Sequence, residues 1–227
     1  MIRLAALTIL ATFSLLSSAQ VDSGEEQPIL PVTLAEMAAS ADLVALIQVL
    51  DTDYEYTRGF PSGGTAFLKV LIPYKVTRSF EDILEVYEQG LHPGECYFEN
   101  PTVLEEGRRQ LVFLKFSNDV EGQYNGLKQG CSLDVLVQDN GQYALRFPVD
   151  GILLSDDLTA KAKAMEFHDS YAIIKDEAIS PVERNQLLED GYLFAVDQGF
   201  KLTHGIEISE IRKLMGPNGL TLDRSLK

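Results

Sequence analysis

The chain contains no tryptophan, and its 227 residues include only two cysteines and three histidines. Without tryptophan it lacks the aromatic residue most often found in interface anchors. Cys96 and Cys131 form no CxxC pair and have no nearby histidine pattern, which argues against both a dithiol redox centre and a zinc site. His92, His168 and His204 do not have the HExxH spacing of metalloproteases.

Motifs for nucleophilic and nucleotide chemistry are lacking as well. There is no GxSxG elbow and no glycine-rich phosphate loop. The contiguous run His168-Asp169-Ser170 is not a catalytic triad, because triad residues converge from separate segments of the chain. We therefore lean against an enzyme. A hydrolase with a dispersed acidic site stays open as an alternative, since paired carboxylates need no fixed spacing in sequence.

Positive charge is scarce, with 19 lysines and arginines against 34 aspartates and glutamates and a formal net charge of −15. A negative field of this size repels nucleic acid and anionic lipid headgroups. We expect no nucleic-acid partner. The charge suits solubility, basic protein partners or divalent cations.

The long apolar run of the chain lies at its N-terminus. Arg3 precedes residues 4–16, which are mostly apolar, and Ser17, Ser18 and Ala19 follow as small residues typical of a cleavage site. We interpret residues 1–19 as a signal peptide and residues 20–32 as a flexible lead-in. No later run approaches the ~20 residues of a membrane span, so the mature chain is expected to have none. Export to the periplasm or the extracellular space would allow a disulfide between Cys96 and Cys131.

Strand patterns dominate residues 33–150, after a short helix over 34–40 that Thr33 and Glu36 begin as a capping box. Asn140-Gly141 between alternating apolar residues predicts a hairpin. Residues 58–64 read as a loop. Residues 79–89 fit either a helix or a strand, and we favour the strand. The predicted strands cover 43–50, 65–80, 83–87, 96–98, 109–116, 131–138 and 142–147. Pro73 places the second of them at an edge or a bulge.

The composition changes after Gly151. Residues 157–172 are rich in Ala, Lys, Met and Glu and predict a helix. A second helix over 181–188, a small hairpin of 193–196 with 200–203, and a last helix over 211–215 follow. Residues 151–217 are thus expected to form an α-rich addition with one hairpin, and residues 218–227 a tail.

Four segments carry a resemblance to a known family: Ala41-Asp42-Leu43-Val44, residues 74–80, Cys96-Tyr97-Phe98, and residues 107–114. Together they resemble the small secreted bacterial domains that are similar to tissue inhibitors of metalloproteinases. Over residues 41–147 the resemblance implies an OB-like antiparallel Greek-key barrel. The fold class expected is therefore mainly β, or α+β overall. The eukaryotic inhibitors chelate the protease zinc through an N-terminal cysteine, and no cysteine lies near Gln20, where the mature chain is expected to begin.

One segment carries the candidate contact residues, and we expect it to be a loop. Its acidic and aromatic side chains are Asp51, Asp53, Tyr54, Tyr56 and Phe60. Residues 51–55 resemble the opening of a calcium loop, but Tyr56 replaces the required glycine and Ser62 the closing glutamate, so at most weak calcium binding is expected. No other cofactor is expected. The preferred function is an exported, non-enzymatic binding or envelope-associated domain with a protein partner. A protease-inhibitor-like module is a further alternative to the hydrolase.

Overall fold

The computed structural model describes residues 32–90, 96–102, 106–118, 120–149 and 156–215. The predicted signal peptide, the lead-in up to residue 31, His92 and the predicted tail lie outside the described residues. The described part is mainly β, with few helices and a closed five-stranded barrel. The strands are β1 Leu43–Thr57, β2 Phe60–Val76, β3 Ile83–Gln89, β4 Arg109–Phe116, β5 Gln123–Gly126, β6 Ser132–Val137, β7 Tyr143–Phe147, β8 Lys163–Ala164, β9 Ile173–Ile174, β10 Leu193–Val196, β11 Gly199–Leu202 and β12 His204–Glu207. The helices are α1 Leu34–Ser40, α2 Asp156–Thr159, α3 Pro181–Glu189 and α4 Ile208–Leu214.

The barrel closes in the strand order β1-β2-β3-β5-β4-β1. β3 and β5 run parallel, whereas the other neighbouring strands of the described barrel are antiparallel. Its interior is an apolar cluster to which every strand of the barrel contributes, for example Ile47, Leu68, Leu84, Leu114 and Tyr124. This closure removes most of the free strand edges that would otherwise invite pairing with another chain.

The sheet continues beyond the barrel because β4 shares its second edge between two strands. Leu114, Lys115 and Phe116 pair with β5, while residues 109–112 pair with β6, from which β7, β12 and β8 follow. A second core packs α1 and α4 against this sheet. A three-stranded sheet of β10, β11 and β9 encloses a third core with α3.

Helix α1 is capped by neighbouring residues at its N-terminus and by a distant lysine at its C-terminus. The predicted capping box is confirmed, since Glu36 N donates to Thr33 Oγ1 at 3.1 Å and Thr33 N donates to Glu36 Oε2 at 2.8 Å. At the other end, Lys75 Nζ donates to the carbonyl oxygens of Ala38, Ala39 and Ala41 at 2.6 to 3.2 Å. A lysine is a favourable partner for the orphan carbonyls of a helix C-terminus.

The predicted loop over residues 58–64 is wrong, because β1 and β2 form one long hairpin. Its turn consists of Arg58 and Gly59, with φ of 53° and 86°. Two positive φ values in a two-residue connection match the twist of the flanking strands. Gly64 suggested a loop, but it lies within β2. Only glycine fits this position, because a Cβ there would approach the Asp53 carbonyl oxygen to 2.1 Å. Pro73 does lie beside a bulge, as expected, since the pairing with β1 shifts register between Val44 and Ala45.

The helix predicted over residues 157–172 is also wrong. α2 ends at Thr159, and Lys163 and Ala164 pair with β12 instead. Phe167 is buried in the third core, with its ring against Gly205. Packing has overridden helix propensity here. Residues 156–215 are therefore a mixture of short helices and strands rather than α-rich, and β5, β8, β9 and β12 were not predicted from the sequence.

Cys96 and Cys131 lie at disulfide distance, with Cα atoms 5.8 Å apart, a separation ordinary for a disulfide. Residues 96–98 were predicted as a strand but have no regular secondary structure. Cys96 and Phe98 are nevertheless buried in the barrel core. The pair thus ties an irregular segment at the barrel to the start of β6.

Candidate functional site: an acidic edge on the barrel wall

The outer half of β1 separates its side chains into two rows. Side chains alternate along a strand, and the bulge at Leu50 adds one residue, so Val49 and Tyr54 both face the barrel interior. Asp51, Asp53 and Glu55 consequently share the outer face, where all three are exposed. We call these three residues the acidic edge.

Two neighbouring strands extend this outer face sideways. Phe67 on β2 lies opposite Asp51, and Glu85 on β3 lies opposite Phe67. In the next row Thr65 lies opposite Asp53, and Tyr87 lies opposite Thr65. Glu85 is exposed, while Phe67, Thr65 and Tyr87 are half-buried. The result is an acidic and aromatic surface on β1, β2 and β3.

The carboxylates of the acidic edge are not balanced by a cation of the described residues. Asp51 accepts a hydrogen bond from the backbone N–H of Thr52 at 2.8 Å. Within the described part of the chain, Asp51, Asp53 and Glu55 form no ion pair with lysine, arginine or histidine. The surface therefore carries negative charge that no ion pair within the described residues balances.

Tyr54 belongs to the barrel interior and not to the contact surface expected from the sequence. Its hydroxyl oxygen accepts a hydrogen bond from Phe98 N at 3.1 Å, and its ring meets Tyr97 edge-on with centroids 5.1 Å apart. Burial raises the pKa of Tyr54 to about 12, although the hydrogen bond from Phe98 opposes the shift. Tyr54 is a brace between β1 and the segment that follows Cys96.

The tip of the β1–β2 hairpin presents the two other aromatic residues expected at the site. Tyr56 is 61% exposed and Phe60 is 64% exposed. Tyr56 lies opposite Pro61, whereas Phe60 lies opposite Thr57, so alternation places the two aromatic rings on opposite faces of the hairpin. The sequence segment thus divides into an acidic edge, an internal tyrosine and a tip with one aromatic ring on each side.

A hollow of about 370 Å³ lies at the other end of the acidic edge. Leu50, the bulged residue of β1, forms part of its lining and is 41% exposed. Pro101, Thr102 and Glu106 line it as well. Glu106 already pairs with Arg109, so the hollow suits an apolar side chain or the aliphatic stem of a longer one.

A second cleft, of about 430 Å³, lies between β2, β7 and α4. Arg212 is placed over the ring of Tyr74 at 5.8 Å, and Tyr143 and Ile208 complete the apolar part. Its carboxylate, Glu207, accepts hydrogen bonds from Lys163 at 2.5 Å and Ser209 at 3.3 Å. The hydrogen bond from Lys163 lowers the pKa of Glu207. The carboxylate of this cleft is already paired within the chain.

Arg108, Arg109 and Arg146 form an arginine cluster with two aspartates. Asp134 pairs with Arg108 at 3.3 Å and Arg146 at 3.4 Å, and accepts a hydrogen bond from Gln110 at 2.9 Å. Asp169 pairs with Arg109 at 3.6 Å and accepts hydrogen bonds from two backbone amides, so it does not belong to a triad with its chain neighbours. This cluster connects β4, β6 and β7 to the residues beyond β8.

Metal binding finds no support in the arrangement of the described residues. Among them, no group of three or more His, Cys, Asp or Glu side chains is placed to hold an ion. Asp51, Asp53 and Glu55 follow one another along an extended strand, about 6.6 Å apart, and do not encircle a point as a calcium loop does. The described helices include none with the length and apolar character needed to cross a membrane.

Comparison with protein-family models, with curated proteins and with solved structures finds no match to this chain.

Sequence reasoning found the acidic edge but missed its neighbours Phe67, Glu85 and Tyr87. The signal was present in residues 83–88, where Leu84, Val86 and Glu88 are buried and alternate with residues that are exposed or half-buried. Because that segment also fitted a helix, its alternation did not predict which side chains lie on the outer face of the sheet. The pairing of Tyr87 with Thr65 and of Thr65 with Asp53 depends on register, which no local pattern encodes.

Proposed function

We propose that the chain is an exported, non-enzymatic binding protein whose barrel is of the OB type and whose acidic edge contacts a positively charged protein partner. The single observation that carries the proposal is the acidic edge, in which three exposed carboxylates stand in a row without a cation from the described residues. Uncompensated charge of one sign on an exposed face steers partners of the opposite sign.

The barrel topology supports the OB-type assignment. The barrel has five strands that close in the order β1-β2-β3-β5-β4-β1, with β3 parallel to β5. This is the arrangement that we expect of a Greek-key barrel of the OB type. OB-type barrels bind ligands on the face of their second and third strands and on the adjoining loops. Phe67 and Tyr87 lie on that face here, next to the acidic edge. Its negative charge favours a basic protein over a nucleic acid.

Export is supported by the apolar N-terminal run and by the Cys96–Cys131 pair, since disulfides persist in oxidising compartments. The intact mass of the secreted protein, measured with and without reductant and thiol labelling, tests both points. A mass that corresponds to loss of residues 1–19 and the absence of labelling before reduction are expected. Retention of the full chain, or two thiols labelled without reductant, would contradict the proposal.

Partner binding is tested with a labelled peptide that carries lysine at alternate positions, acetyl-KVKVKVK-amide, and its glutamate counterpart. We expect fluorescence anisotropy to show binding of the lysine peptide alone, weakened by salt. The variant Asp51→Asn/Asp53→Asn/Glu55→Gln should bind at least about tenfold more weakly, a difference of about 1.4 kcal/mol.

The matched control removes three exposed carboxylates elsewhere, through Glu177→Gln, Glu183→Gln and Glu189→Gln. Both triple variants have the same net charge, so the control should retain binding within about twofold if the acidic edge is the site. Equal weakening in both would mean that only the overall charge matters. Absence of binding by the wild-type protein would reject the proposal outright.

The hydrolase alternative gains no support from the arrangement of the acidic edge. Its carboxylates are spread along an exposed strand, and neither of the two clefts described above encloses them.

A further inference from the structure

We infer that the acidic edge takes its partner by strand addition: an extended segment with lysine or arginine at alternate positions pairs with the free backbone edge of β1 over residues 51–57. The inference rests on the proposed function and names its class of partner. Extended peptides that join a sheet edge gain affinity from main-chain hydrogen bonds and specificity from alternate side chains.

The free edge begins where β4 leaves β1. Pairing with β4 ends at Gln48, which lies opposite Arg109, and one further bond joins Val49 N to Arg108 O at 3.0 Å. Beyond that point β1 continues through Leu50 to Thr57, and among the described residues it pairs there with β2 alone. The N–H of Thr52 is bonded to a side chain, that of Asp51, which an incoming strand can displace.

Length and charge make this edge suitable for a basic strand and unsuitable for a second copy of the chain. Seven residues of strand extend over about 23 Å, enough for several main-chain bonds. Like charges placed directly opposite each other across two strands are destabilising, so two acidic edges would repel. A strand with cations at every second position instead places each one beside Asp51, Asp53 or Glu55.

The two ends of the edge give the partner further contacts. The hollow at Leu50 lies where the edge begins and can take an apolar side chain or stem. At the far end Tyr56 is 61% exposed and lies on the same side of β1 as Tyr54. Pockets and exposed aromatic residues at alternate positions are the means by which strand addition becomes selective.

The test uses two isomers of the lysine peptide, each methylated on alternate backbone nitrogens. Successive amides of a strand point to opposite sides and alternate amides to the same side, so one isomer loses the donors that face β1 and the other loses only outward donors. Charge, length and side chains are identical. We expect one isomer to bind at least about tenfold more weakly than the parent peptide, and the other to bind within about threefold. Hydrogen exchange should show slower exchange of alternate amides between Thr52 and Thr57 in the complex.

The outcomes separate strand addition from the proposed function. If both isomers bind like the parent while the acidic-edge variant does not, strand addition is overturned and a charge-driven contact stands. Equal weakening of both isomers, without slower exchange along β1, overturns strand addition as well. If the parent peptide itself fails to bind, both proposals are rejected.

Discussion

Two groups of carboxylates among the described residues differ in their exposure to solvent and in their pairing with donors. In the arginine cluster the Asp169 side chain is 5% exposed, and it is matched by Arg109 and by the backbone amides of Val137 and Tyr171. In the acidic edge Asp51, Asp53 and Glu55 are exposed and have no counter-ion among the described residues. Carboxylates of the first kind hold parts of the fold together, and those of the second kind are available to a partner.

This difference shows that the number of acidic residues says little about function. Asp134 and Asp169 are surrounded by donors because a buried charge is costly unless it is paired. An exposed charge on a strand edge costs little, and an acidic row also discourages pairing with further copies of the chain. A row of uncompensated charge along one strand edge, and not the formal −15 of the whole chain, therefore identifies the candidate surface.

The largest effect is expected from breaking the covalent link between the irregular segment that contacts Tyr54 and the start of β6. Cys96 lies two residues before Phe98, which donates to Tyr54, and Cys131 precedes the strand that carries Asp134. For a sequence separation of 35, the loop-entropy relation predicts that Cys96→Ala/Cys131→Ala lowers the free energy of unfolding by about 4 kcal/mol. Denaturant unfolding measures it. The wild-type protein in reductant should match the variant. An unchanged denaturation midpoint in both would show that the disulfide does not stabilise the fold.

The second-largest effect tests the arginine cluster directly. Asp169→Ala leaves the amides of Val137 and Tyr171 without their acceptor and Arg109 without its partner. We expect the free energy of unfolding to fall by about 3 kcal/mol. Asp53→Ala, on the acidic edge, is the matched control and should change it by less than about 0.5 kcal/mol. Equal losses in the two variants would remove the distinction between the regions.

The third prediction separates the inner face of the barrel wall from its outer face. Tyr54→Phe removes the acceptor of Phe98 N and should cost about 1–2 kcal/mol at neutral pH. Tyr87→Phe, on the outer face, is the control and should cost less than about 0.5 kcal/mol. Thermal and urea unfolding of both variants measures the difference. If Tyr54→Phe leaves the stability unchanged, the hydrogen bond from Phe98 to the Tyr54 hydroxyl does not stabilise the fold.

Alkaline pH sharpens the same contrast. The folded pKa of Tyr54, about 12, exceeds its ordinary value of 10.0, so the fold favours the protonated phenol. The resulting stability is fully present below pH 10 and is lost as the pH rises through about 12. The wild-type protein should lose stability over that window more steeply than Tyr54→Phe. Part of the loss remains in the variant, because burial also raises the pKa of Tyr124 to about 12.

The smallest effect is expected from the acidic edge itself. Asp51→Asn/Asp53→Asn/Glu55→Gln should leave the free energy of unfolding within about 0.5 kcal/mol of the wild-type value, because exposed and unpaired carboxylates contribute little. Differential scanning calorimetry at low and high salt measures it. A loss above about 2 kcal/mol would assign these residues to the fold rather than to a partner.

Local patterns predicted part of this architecture. The helix over residues 34–40, the strands over 83–87 and 109–116, and the hairpin around Asn140-Gly141 each depend on a cap, an alternation or a turn that lies within a few residues. The helix expected over residues 157–172 failed because Phe167 and Ala164 are placed by contacts with β12 and its neighbours, which lie far along the chain. The candidate contact loop failed as a loop for a related reason, since its glycine and proline residues serve close strand pairing.

The amino-acid order alone established the mainly β character, the excess of negative charge, the two cysteines available for pairing and the position of Asp51, Asp53 and Glu55 along the chain. It could not establish which strands close the barrel, because register depends on pairing between distant segments. The bulge at Leu50 sets which side chains of β1 face outwards. The pairing of β4 ends at Gln48, beyond which the described residues pair with β1 only through β2. Both follow from the three-dimensional packing of several strands, and together they convert an acidic stretch of sequence into a surface that can receive a basic strand.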